Sequence, residues 1–205
     1  MAERTGIGVL GGAFNPPHRS HERLAAAALA RLPIAELRVV PAGDHPWKRD
    51  TDMAPAADRL AMCRLAFAHL RGVIVDDREV RRAGPSFTVD TLAELAAEAP
   101  GRKLFLLIGS DNLPQITQWR DGARLLELCT VVTYPRAGHP ADARSLAGQP
   151  LTGAQRDTLL ANVLDLPADA VSASDVRARW RRGVRDLPDL NPAVRDYIAA
   201  HGLYT

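Results

Sequence analysis

Between an apolar run (Ile7, Val9, Leu10) and an Ala/Leu-rich stretch opening near Ser20 stands Gly11-Gly12-Ala13-Phe14-Asn15-Pro16-Pro17-His18-Arg19-Ser20-His21, and no other segment constrains the chain as much. The order reads as a strand, a tight loop broken by Pro16-Pro17, and a helix N-capped by Ser20 that runs to about Leu32. Two glycines at a strand end let a ligand approach the backbone with no Cβ in the way. The helix start behind them offers free N–H groups and the positive end of its dipole. This is the pattern of an anion site, most simply a phosphate. His18 and His21 stand at its mouth, where two imidazoles can donate hydrogen bonds and stabilise charge growing on a phosphate chain. A Gly-Gly turn alone is often only a turn, and two histidines alone can be half a metal site. Here no Cys, Asp or Glu completes a zinc ligand set of the usual spacing, and no metal-binding residue is assigned.

Behind this segment, short β-rich runs alternate with helical periodicity. Glu36 to Val40 reads as a strand, Pro41 to Pro55 as a loop, and Ala57 to Leu70 as a helix with Leu60, Cys63, Phe67 and Leu70 on one face. Val73 to Val75 is a strand and Thr88 to Ala97 a helix. Leu104 to Ile108 is a continuous apolar strand of the kind buried on both faces, and a helix near Ala123 to Leu128 leads to a strand at Val131 to Tyr134. The alternation predicts an α/β fold, a doubly wound, mostly parallel sheet with ligands outside the carboxyl ends of its strands. The Pro/Gly/Ala/Ser-rich stretch up to Gly153 reads as surface connection, and 171–205 as a short helical C-terminal part of the same single domain, 1–205.

With 205 residues, 46% hydrophobic and 24% charged, the chain suffices for one sizeable core. A formal net charge of +2 with no basic block argues against nucleic acid and leaves small anions as ligands. Cys63 and Cys129 lie in apolar periodic segments, which predicts reduced thiols in a cytoplasmic protein. No apolar span suggests membrane insertion or export, and a homo-oligomer is compatible with the sequence.

Three further segments carry candidate chemistry. Gly84-Pro85-Ser86-Phe87-Thr88 is a Gly-Pro turn with a hydroxyl cap before a helix, and the same helix start offers donors to a carboxylate or phosphate. Gly109-Ser110-Asp111 follows the buried strand; Gly109 allows a ribose to approach and Asp111 can accept from two ribose hydroxyls, although a simple capping turn explains the same residues. In Val171-Ser172-Ala173-Ser174-Asp175-Val176-Arg177, Ser174 is the expected N-cap, Val176 and Trp180 face a core, and Arg177 can fork onto phosphate oxygens. Arg179, Arg181, Arg182 and Arg185 read as solvated.

The first segment resembles the Gly-Gly-x-Phe-(Asp/Asn)-Pro-x-His-x-Gly-His signature of the Rossmann-like nucleotidyltransferases that transfer AMP or CMP from a nucleoside triphosphate. The later segments are similar, in order, to those of bacterial nicotinate-nucleotide adenylyltransferases. By that resemblance Gly11, Gly12, Ala13, Phe14, His18, His21, Gly109, Asp111, Ser172, Ser174 and Arg177 bind ATP. His18, His21, Lys48 and Arg177 hold charge during transfer. Ser86, Phe87, Thr88, Trp119 and Arg136 face the second substrate, Trp119 by stacking on a pyridine ring. Lys48 enters through Asp44-His45-Pro46-Trp47-Lys48, similar to a Pro-Pro-His-Lys element with Trp47 in place of His. The implied reaction joins ATP and nicotinic acid mononucleotide into deamido-NAD and pyrophosphate, with Mg²⁺ carried on the ATP phosphates. No activated Ser or Cys nucleophile and no carboxylate pair in a loop is evident, which agrees with direct attack of one phosphate on another. An adenylyltransferase acting on nicotinamide mononucleotide or pantetheine phosphate, a nucleotide-binding regulatory module and a non-enzymatic interaction module are the other readings. Ser20 stands where the signature has glycine, Ala137 follows Arg136 where the family has proline, and Ala173 lacks an expected hydroxyl. The side chain of Ser20 is expected in space the family leaves open to the nucleotide.

Overall fold

The computed structural model describes residues 4–43, 53–168 and 170–205. The Asp44 to Lys48 element, with Trp47 and Lys48, lies outside them. A five-stranded parallel sheet is built from β1 (Gly6–Gly12), β2 (Ile34–Pro41), β3 (Val73–Val75), β4 (Leu104–Gly109) and β5 (Cys129–Tyr134), in the order β3-β2-β1-β4-β5. The strand pairs run parallel, with Leu10 opposite Leu107, Leu37 opposite Val73 and Leu104 opposite Cys129. This is the doubly wound α/β architecture expected from the alternation, with the order reversing at β1 and β4. Every residue of β4 is buried, as its unbroken apolar run demands.

The flanking helices are α1 (Arg19–Arg31), α2 (Ala56–Phe67), α3 (Arg78–Arg81), α4 (Thr88–Glu98), α5 (Gly122–Leu128), α6 (Gly153–Ala161), α7 (Ala173–Arg181) and α8 (Pro192–Ala200). Several ends differ from the sequence reading. α1 is capped by His18 and not Ser20, α7 by Ser172 and not Ser174, and α4 begins behind Phe87 without a hydroxyl cap. α2 stops at Phe67, so Leu70 lies in the following turn, ahead of Gly72 at φ +84°. A 3₁₀ helix, Ser110–Gln118, is interrupted by Pro114, and the helix α6 buries Leu159 alone of its residues, so neither shows an apolar periodicity.

The chain forms two compact units. One comprises 1–10, 33–35 and 87–170; its core includes Ile7, Leu10, Leu92, Leu113 and Leu125. The other comprises 11–32, 36–86 and 171–205, with Ala25, Leu37, Met62, Cys63, Phe67, Val176 and Val194 buried. Both cysteines are free; burial pushes the Cys129 thiol up to about 12 and Cys63 still higher, so neither is a poised nucleophile.

In the second unit Asp76 ends β3. Its carboxylate accepts from Arg78 Nη2 at 2.7 Å and Nε at 3.0 Å and from the Arg78 backbone N–H at 3.1 Å. Burial alone would raise this carboxyl, but the Arg78 hydrogen bonds and the charges of Arg78 and Arg38 outweigh it and hold it below the ordinary carboxylate range. A depressed carboxyl stabilises the fold above its unfolded value of roughly 4 and loses that contribution as pH falls through its folded value. Asp76→Asn is therefore expected to lower stability at pH 7 and to flatten the fall in stability below about pH 4. Urea unfolding at pH 7 and pH 3 checks both halves of that expectation.

Candidate functional site

The loop after β1 is shaped by its own side chains. Phe14 adopts φ +47°, a left-handed conformation that costs a non-glycine residue roughly 1–2 kcal/mol. Its ring is buried edge-on to His21, with centroids 4.9 Å apart, and to Phe67 at 6.2 Å. That burial, roughly 1.5–3 kcal/mol, offsets the strain. A Cβ on Gly12 would stand 3.3 Å from the Phe14 ring, which would have to give by a few tenths of an ångström, whereas a Cβ on Gly11 would meet no atom of the described residues within 4 Å. The open side of the loop is therefore at Gly11. Phe14, with its ring enclosed, has only its backbone to offer a ligand.

His18 is buried at the start of α1, and its ring stacks on that of His21 with centroids 3.8 Å apart. His21 Nδ1 accepts from the His18 backbone N–H at 3.2 Å, the reach-back that Glu or Gln makes in a capping box. In a neutral His21 the proton then sits on Nε2, which makes that nitrogen a donor. Arg177 reaches this loop from 162 positions away: Nη1 donates to the Asn15 carbonyl at 2.9 Å. Its Nε is buried with no hydrogen-bond partner among the described residues. A buried donor left open is costly, and an anionic oxygen would satisfy it. Arg177 is thus joined to the loop that leads into His18 and His21 at the start of α1. The Ser172 hydroxyl accepts from the Asp175 N–H at 3.1 Å as the cap of α7, and Ser174 is exposed.

Arg59 is the residue that the sequence reading passed over. It is 0% exposed, and its guanidinium donates to four carbonyls: Ala54 at 2.9 Å, Ala13 at 2.9 Å, Ala42 at 2.7 Å and Gly43 at 3.4 Å. One side chain ties the loop after β1 to both flanks of segment 44–52. The signal lay in the pattern: Arg59 precedes Met62, Cys63, Ala66 and Phe67 by 3, 4, 7 and 8 positions, inside the buried stripe of α2.

Of the residues expected at the second substrate, Phe87, Thr88, Trp119 and Arg136 lie in the other unit, together with Gly109 and Asp111. Gly109 at the end of β4 leaves room for the Asp111 carboxylate, which folds back where a Cβ would stand, and for Arg136 Cγ. The buried Ser110 hydroxyl accepts from the Arg136 N–H at 2.9 Å and donates to the His139 carbonyl at 2.6 Å, which fixes the turn bearing Arg136. Phe87 and Thr88 open α4, with the Arg120 guanidinium 5.0 Å from the Phe87 ring centroid; Trp119, half-buried, ends the 3₁₀ helix. The Ser86 hydroxyl, which belongs to the second unit, is buried without a hydrogen-bond partner among the described residues. Among the described residues no group of three or more His, Cys, Asp and Glu is arranged to hold a metal ion.

Residues 9–179 match the cytidylyltransferase-like family. A relative from Albidiferax ferrireducens, named "Probable nicotinate-nucleotide adenylyltransferase", is 41% identical over 97% of each chain. The chain belongs to this family. A relative of the same name from Laribacter hongkongensis is 39% identical, covering 98% of this chain and 95% of its own. Two solved structures share the fold: Plasmodium falciparum nicotinic acid mononucleotide adenylyltransferase complexed with NaAD (TM-score 0.76, 18% identity, 98% and 97% coverage) and complexed with APC (TM-score 0.72, 17% identity, 98% and 97% coverage).

The departures from the family signature have local structural readings. Ser20 is buried, and its hydroxyl accepts from Arg23 Nη2 at 3.3 Å. Arg179 is not a solvated arginine: it pairs with Asp175 at 2.8 Å and Asp189 at 2.5 Å. Arg185 is exposed, as read from the sequence, with its guanidinium 4.1 Å from the Trp180 ring centroid. Ala137 occupies the second position of a turn closed by the His139 N–H on the Arg136 carbonyl at 3.0 Å, with Gly138 at φ +80° third. That is a type II turn, whose second position suits proline. Ala137→Pro is therefore expected to raise stability by about 0.4–1 kcal/mol through the unfolded state, which a thermal melt reads as a rise of a few degrees.

Proposed function

We propose that the chain transfers the adenylyl group of ATP to nicotinic acid mononucleotide, giving deamido-NAD and pyrophosphate. The observation that carries this reading is the stacked pair His18 and His21 at the start of α1 behind the loop to which Arg177 is bonded, with the Arg177 Nε open among the described residues. The relatives' shared name supplies the substrate. A phosphate oxygen of the mononucleotide attacks the α-phosphorus of ATP, the bond from that phosphorus to the bridging oxygen breaks, and pyrophosphate leaves. No protein nucleophile is required, so the chain contributes positioning and charge stabilisation.

In this account Gly11, Gly12 and the backbone of Ala13 and Phe14 border the phosphates, while His18 and His21 donate to oxygens on which charge grows. Arg177 forks onto the triphosphate, assisted by Ser172 and Ser174, and the Lys48 ammonium meets the leaving pyrophosphate as a point charge. Asp111 and Gly109 take the ribose. Ser86, Phe87, Thr88, Trp119 and Arg136 receive the pyridine nucleotide. Mg²⁺ reaches the site on the triphosphate, a mode in which phosphate oxygens and water supply most ligands and a dedicated protein cage is unnecessary. The free cysteines and the substrates favour a cytoplasmic setting. The test is pyrophosphate release by the purified protein with ATP and Mg²⁺ and, in turn, nicotinic acid mononucleotide, nicotinamide mononucleotide or phosphopantetheine. Release with the first at the highest kcat/KM is expected; preference for either of the others would replace the assigned substrate.

A further inference from the structure

Asn15 joins four parts of the second unit. It is 6% exposed, and its Oδ1 accepts from the Ala54 N–H at 3.0 Å and from the Tyr204 hydroxyl at 2.7 Å, one bond for each carbonyl lone pair. Its main-chain carbonyl accepts Arg177 Nη1 at 2.9 Å. The donor that completes this set stands one residue from the chain's last position. Tyr204, at φ +60° after the turn at Gly202, is 8% exposed, and burial pushes its hydroxyl well above the ordinary tyrosine range, so it remains a proton donor at any assay pH near neutrality.

Among the described residues Arg177 is held at one Nη, and its planar fork points where the Asn15 carbonyl directs it. The Asn15 carbonyl in turn keeps its direction because the side chain of the same residue is pinned from two sides. We propose that Tyr204 is a positioning residue for adenylyl transfer: its hydroxyl fixes Asn15, and Asn15 sets the Arg177 guanidinium at the triphosphate. This inference rests on the functional reading above. Tyr204 touches no reacting atom; its effect passes through Arg177, where a misplacement of about 1 Å can cost up to about 10²-fold in rate.

The test is Tyr204→Phe, which keeps the ring and removes the hydroxyl, examined alone and together with Arg177→Ala by pyrophosphate release with ATP, Mg²⁺ and nicotinic acid mononucleotide. The expected result is a fall in kcat of about tenfold or more, KM for both substrates within about threefold, and Tm lower by only a few degrees. In the Arg177→Ala background the same change is expected to cost less than about twofold, because the group it positions is gone. The Arg177 Nε–H resonance, assigned by its loss in Arg177→Ala, is expected to shift in Tyr204→Phe. A kcat within twofold of the parent, or an undiminished loss in the Arg177→Ala background, would overturn the proposal. So would a drop in Tm beyond about 10 °C with kcat and KM failing together, which marks a purely structural tyrosine. Should the parent itself release no pyrophosphate, the functional reading fails separately, and the resonance decides this inference: a shift supports the link and an unmoved signal overturns it.

Discussion

His18→Ala is expected to lower kcat about 10²–10³-fold while KM for ATP changes only a few-fold. The ring is buried, 2% exposed, and stacked on His21, so its orientation is set before substrate arrives. A donor held in this way loses little on reaction and acts on charge that grows as the phosphorus is attacked, which is why turnover and not binding carries the loss. Steady-state pyrophosphate release on the variant, with a thermal melt to show that it is folded, provides the check. A folded His18→Ala protein with parental kcat would remove the histidine from the mechanism.

Arg59→Met is expected to cost about 3–5 kcal/mol of stability. Four carbonyls from three loop segments lose a charged donor at once, and leaving buried polar groups unpaired costs roughly 1–3 kcal/mol each before relaxation and water recover part of it. For a chain of this length the loss corresponds to a fall in Tm of roughly 6–20 °C. Lysine is not a substitute, because a single ammonium cannot span acceptors that Arg59 reaches with Nε and both Nη groups. Urea unfolding of Arg59→Met and Arg59→Lys measures both statements. An Arg59→Lys protein as stable as the parent would show that the fork is not what holds these loops.

Much of the fold was legible because burial writes itself into periodicity. The unbroken run Leu104 to Ile108 could only be a strand covered on both faces, and all of β4 is buried. The strand–loop–helix around Gly11 to His21 was legible for the opposite reason, since its breakers fall where a tight turn is needed. Helix starts were less so. Ser20 and Ser174 are good capping residues by type, yet His18 and Ser172 cap α1 and α7, two positions earlier in each case, because periodicity places a face and not an end. Strand order was not legible, since it depends on pairings between distant segments. The side chains that hold the site together were hidden for the same reason: the Arg59 and Tyr204 contacts span 46 and 189 positions, and neither residue type announces a loop tie in sequence. The 3₁₀ helix at Ser110–Gln118 escaped because Pro114 interrupts the local pattern, and α6 because it buries Leu159 alone and so carries no apolar stripe.

The most direct measurement follows the label. With ATP carrying ³²P at the α-phosphate, Mg²⁺ and nicotinic acid mononucleotide, the account expects the label to move into deamido-NAD at the rate at which pyrophosphate appears, and that transfer to fall together with kcat in His18→Ala. Label that remains in ATP, that appears only as AMP, or that moves equally well when the mononucleotide is omitted would contradict it.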